Sequence, residues 1–153
     1  MMGRVLAAAF ALSIAFLAPA MAADPLSPPL QQYTKLPASK QDPAYVPMRC
    51  AGLYVGILQF AGASLDPAQR ESIEKESSAL AVAAMEVRAE QKGGKPTDYG
   101  DSVLGVVKAI AQQYQARMKK NQEKTGQAFM NDKTIKGDIT LCKHAVSVLS
   151  KPP

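Results

Sequence analysis

The sequence predicts an all-α fold: an up-down-up-down four-helix bundle with a proline-rich N-terminal extension and one disulfide between helices. Three observations carry this expectation. Apolar residues recur at helical spacing in four successive windows, no window alternates with the period of two that a half-buried strand needs, and both cysteines of the chain stand on helical seams.

The chain opens with MMGRVLAAAFALSIAFLAPAMAADP, in which Arg4 precedes an apolar run from Val5 to Leu17 and Ala20-Met21-Ala22 forms a small-residue cleavage pattern. This reads as a secretory signal peptide over residues 1–22, cut near Ala22. The run is shorter than the roughly 20 residues a spanning helix needs, and Pro19 closes it, so no transmembrane anchor is expected. The expected location is periplasmic, or secreted after cleavage. Removing 22 of 153 residues leaves 131, the length of one domain, and lowers the formal net charge from +5 to +4.

Residues 23–46 carry Pro25, Pro28, Pro29, Pro37 and Pro43, each removing a backbone donor and restraining its predecessor. An extended tether or strap is expected there, ahead of a helical domain over 47–151. The first helix, about 47–61, places Cys50, Leu53, Tyr54, Ile57, Leu58 and Ala61 on one stripe behind Pro47. In the second, Asp66 caps, Pro67 opens, Ile73, Ser77, Leu80, Ala84 and Val87 form the seam, and Gly93-Gly94 ends the helix. Thr97 or Asp98 caps the third, which turns Val103, Val106, Val107, Ile110, Tyr114 and Met118 inward until Gly126. The fourth starts somewhere from Asn131 to Asp138, with Ile135, Ile139, Cys142, Val146 and Leu149 stepping 4, 3, 4, 3.

Cys50 and Cys142 allow a single intramolecular pairing, and an oxidising destination favours it. In an up-down-up-down bundle the start of the first helix and the later part of the fourth share one end, so the geometry permits the bond. The chain's one histidine, His144, follows Cys142 by two residues and is rotated about 200° from it, onto a face shared with Lys136, Thr140, Lys143, Ser147 and Lys151. Cysteine and histidine therefore stand back to back.

That placement narrows the chemistry. Covalent haem needs C-x-x-C-H, which Cys142-Lys143-His144 does not supply. Di-iron and structural zinc sites need more ligands than one histidine and two paired cysteines offer. No metal site, no cofactor and no catalytic residue is expected. The alternative from another class is a b-type haem or metal-binding carrier using Met48 and His144 as the axial pair; a third is an enzyme of unrecognised type.

Two surfaces stand out. Gln113, Arg117, Lys120 and Lys124, with Lys119 beside them, follow each other along the third helix as a candidate anion-binding stripe, against the plainer reading of a solvated helix end whose cations favour the C-terminal dipole. The stretch CAGLYVGILQFAGA, residues 50–63, is apolar on nearly every face and marks an interaction helix through Gly52, Val55, Gly56, Gln59 and Phe60. It is covered by the other helices, by the proline-rich strap, or by a second copy in a homo-oligomer. The expectation is a small exported helical-bundle protein, not an enzyme, that acts as a binding or envelope-associated accessory module. Its partner would be a protein or an anionic envelope component; export and the lack of interleaved aromatics disfavour nucleic acid.

Overall fold

The structure, a computed structural model, describes residues 26–129 and 131–150. The expected leader and its cleavage point at Ala22 lie outside the described residues. Five α-helices occur among those described: α1 Leu30–Tyr33, α2 Tyr45–Ala61, α3 Pro67–Lys92, α4 Gly100–Thr125 and α5 Lys133–Leu149. Short 3₁₀ turns join them at Ala38–Lys40, Gly62–Ser64 and Pro96–Tyr99, and there is no strand among the described residues.

Local chemistry sets most of the boundaries. Helix α2 begins two residues before Pro47, which sits in the first turn, where backbone amides have no intrahelical acceptor and a missing N–H is harmless. Helix α3 starts at Pro67 because the Asp66 carboxylate accepts from the Gln69 amide at 2.8 Å, and it ends where Gly93 adopts φ +80°. The expected cap of the next helix needs correction. Asp98 accepts from the Lys95 amide at 2.9 Å and so closes the 3₁₀ turn, and α4 begins behind it at Gly100. Gly126 ends α4 in the left-handed conformation, and Asp132 caps α5 by accepting from the Thr134 and Ile135 amides.

Helix α2 is the centre of the bundle, packing most extensively on α4 and α3. Its glycines explain the close approach: a Cβ at Gly52 would stand 2.5 Å from Ile110 Cγ2, and one at Gly56 would stand 3.0 Å from the Ala111 carbonyl and Tyr114 Cβ. Since numbering rises together on both sides of this contact, α2 and α4 run parallel. Helix α3 runs antiparallel to α2, with Arg70 donating to the Gly62 carbonyl at one end and Arg88 bonded to Asp42 at the other. The first half of α2 is thus enclosed, with Met48 through Tyr54 buried without a break, while Val55, Ile57, Leu58 and Phe60 are half-buried and Gln59 is exposed.

Two expected core positions are corrected. Val106 is 40% exposed and Leu149 is 47% exposed. Helix α4 faces α2 along a narrow stripe of Val103, Val107, Ile110, Ala111, Tyr114 and Met118, which leaves Val106 on its shoulder; Leu149 protrudes as the last residue of α5.

The proline-rich segment is fitted against the bundle and holds one helical turn, α1, which packs on α5. Leu26, Leu30 and Tyr33 are buried there. At its far end the Asp42 carboxylate accepts two bonds from Arg88, at 2.9 and 2.5 Å, and the Tyr33 hydroxyl meets the Asp42 backbone.

Candidate functional site

The polar groups that matter lie around the contact of α2 with α5. Cys50 and Cys142, both fully buried, are joined with S–S 2.07 Å and Cα–Cα 5.2 Å. One residue before Cys50 and one turn before Cys142 stand Arg49 and Asp138, both wholly shielded from solvent and ion-paired at 2.6 Å. Sequence reading did not single out this pair.

Burying a charge is costly unless its partners replace water, and here they do. Arg49 Nη2 and Nε donate to Asp138 Oδ2, Nε also to the Tyr114 hydroxyl at 2.9 Å, and Nη1 to the Pro28 carbonyl at 2.7 Å and the Tyr45 hydroxyl at 2.9 Å. Tyr114 donates in turn to Asp138 Oδ2, and the Leu30 amide donates to Oδ1 at 3.0 Å. Strap, α2, α4 and α5 all contribute. Burial by itself works against the guanidinium charge, but the oxygens of Tyr114, Asp138 and Tyr45 outweigh it and raise the Arg49 pKa above its ordinary value. Burial, then the Asp138 carboxylate, raises the Tyr114 phenol against the pull of Arg49. Tyr114 therefore remains a neutral donor, and the cluster is a closed clamp with each guanidinium nitrogen partnered.

A second polar node lies at the start of α5. Asp132 accepts from Arg117 Nε at 2.5 Å and from Asn121 Nδ2 at 2.9 Å, in addition to the two amides that it caps. Burial opposes its ionisation, but the bonds from Arg117, Asn121 and Ile135 outweigh burial and lower its pKa. Because the folded value lies below the unfolded one, the stabilisation is complete above the unfolded carboxylate range near about pH 4 and is lost as pH falls through the folded value. Asp132→Asn is expected to make acid unfolding less steep below about pH 4. Circular dichroism across an acid titration measures this, and an unchanged slope would contradict the assignment.

The candidate stripe on α4 is divided by these contacts. Arg117 is held by Asp132, and together with Gln113, Lys120, Asn121 and Leu26 it borders a depression of about 380 Å³. Lys119 borders a separate depression with Gln59 and Phe60 of the candidate interaction helix, and Lys124 is exposed at the helix end. Of that interaction helix, Gly52 and Gly56 are filled by α4 and unavailable to a second copy, while Val55 is half-buried and Phe60 stacks edge-on against Phe129 at 6.0 Å.

His144 is exposed on α5. Met48 is buried and faces the crevice lined by Arg88, Lys92, Ser102, Val103 and Val106. Met48 is inside because α2 is covered by both α3 and α4. One of the proposed axial pair is thus in the core and the other in solvent, so the two share no cavity. Among the described residues no group of three or more His, Cys, Asp or Glu side chains is placed to hold a metal ion, and no helix is long and apolar enough to cross a membrane.

What remains after the buried groups are accounted for is a marked separation of charge. Residues 1–112 carry ten basic and ten acidic side chains, whereas 113–153 carry eight basic and three acidic ones, so the whole net charge of +5 resides in the last 41 residues. Two of those three acids, Asp132 and Asp138, are buried and bonded to arginines, leaving Glu123 as the exposed one.

Fold and site together define a disulfide-crosslinked all-α bundle with an enclosed ion-pair clamp and an excess of exposed lysines on α4 and α5. Comparison with family models, curated proteins and solved structures returned no match.

Proposed function

We propose that this is a small exported protein that works without a cofactor and without catalysing a reaction, as a binding or envelope-associated accessory module whose exposed lysines on α4 and α5 engage an anionic partner. The charge separation carries this reading: from residue 113 onward α4 and α5 expose Lys119, Lys120, Lys124, Lys133, Lys136 and Lys143, none ion-paired among the described residues, and a single acid, Glu123. Support also comes from the use of the reactive groups. Both sulfurs are joined, and Arg49, Asp138 and Tyr114 are bonded to one another. The signal-like N-terminus supports export, with which a crosslinked cysteine pair is compatible.

The test is retention of the oxidised full chain on immobilised heparin. Lys119→Glu combined with Lys120→Glu is expected to lower the salt needed for elution clearly more than Lys75→Glu combined with Lys92→Glu, which changes net charge equally on α3. Equal shifts would overturn the reading. A visible absorption band in protein purified from its source would overturn the cofactor-free part.

A further inference from the structure

We infer that the outward face of α5 is a docking surface for the headgroups of an anionic phospholipid bilayer. The inference rests on the proposed anionic-partner reading and names the partner's chemistry. Helix α5 exposes Lys133, Lys136, Lys143 and His144, and its one acid, Asp138, is wholly buried in the Arg49 clamp. The outward face therefore carries positive charge without compensation along its length. Its cations are all lysines, point charges on long stems that suit a plane of phosphates better than a fork-shaped single ligand.

The same face ends in an exposed apolar side chain, Val148, which is 54% exposed near the helix terminus. A row of lysines leading to an apolar tip matches a bilayer surface, which offers phosphates and, a few ångströms deeper, hydrocarbon. A nucleic acid offers the phosphates alone, and α5 contains no Phe, Tyr or Trp for base stacking. Rigidity favours a planar target too: the disulfide and the clamp fix α5 to α2, so the lysines are held in one array before binding.

The experiment is co-sedimentation of the oxidised full chain with vesicles of phosphatidylcholine alone or with about 30% phosphatidylglycerol, in low and high salt. Binding is expected to the anionic vesicles only and to fall with salt. Lys133→Glu, Lys136→Glu and Lys143→Glu combined should weaken it about a hundredfold, at roughly fivefold per lysine. A control reversing Lys75, Lys92 and Lys95 alters net charge equally and should weaken binding far less. Val148→Ser should weaken it about fivefold even in high salt. Comparable loss in the control, or no binding by the parent chain to anionic vesicles, overturns the inference. Retention on heparin without vesicle binding sinks the lipid assignment and leaves the anionic-partner reading standing; failure in both removes both.

Discussion

Replacing Cys50 and Cys142 together by serine is expected to lower the unfolding free energy by about 3–5 kcal/mol, because the bond closes a loop spanning 92 positions and its loss restores that freedom to the unfolded chain. For a chain of this size the melting temperature should fall by roughly 10–15 °C. Urea denaturation of the parent and the double variant measures the first, and thermal circular dichroism the second. The oxidised chain should also weigh two hydrogens less than the reduced one. A double variant as stable as the parent would mean that packing alone sets the geometry of α2 against α5.

Asp138→Asn is expected to cost about 3–5 kcal/mol, because it leaves the Arg49 guanidinium, wholly shielded from solvent, without its counter-charge. The larger lesson lies in the double variant. Arg49→Met with Asp138→Leu removes both charges and should recover part of the stability lost in the single variant, since an apolar pair avoids the buried unpaired charge but leaves the Pro28 carbonyl and the Leu30 amide without these partners. A double-mutant cycle in urea gives the coupling directly. The Leu30 amide, which donates to Asp138, provides a local readout: its hydrogen exchange should speed up in Asp138→Asn more than that of amides at the centre of α3. If the single variant costs less than about 1 kcal/mol, the clamp is not holding the strap.

Much of the architecture was legible because it depends on local patterns. The caps at Asp66 and Gly126 and the all-helical periodicity are each written in a few neighbouring residues. The crosslink followed from scarcity, since two cysteines leave one pairing. The clamp was not legible in the same way. Arg49 and Asp138 are charged, and charge reads as surface until a partner 89 positions away is brought alongside. One signal was available: Asp138 lies three residues after Ile135 and four before Cys142, on the seam itself, and a charge there implies a buried partner. The same reasoning would have questioned Arg117 as a surface cation, because Asp132 can cap α5 and still bond a second helix.

The strap supplies the Pro28 carbonyl to Arg49 and the Leu30 amide to Asp138, so the first described residues complete a site whose other half belongs to the last helix. During synthesis, Leu30 precedes Asp138 by 108 positions, which is about 5–20 seconds at about 5–20 residues per second. Until α5 has emerged, Arg49 has no carboxylate and Cys50 no sulfur to meet. The growing polypeptide therefore cannot lock shut early: its final tertiary closure waits for the far end of its own chain, and a chain truncated ahead of α5 would stay open and unlatched.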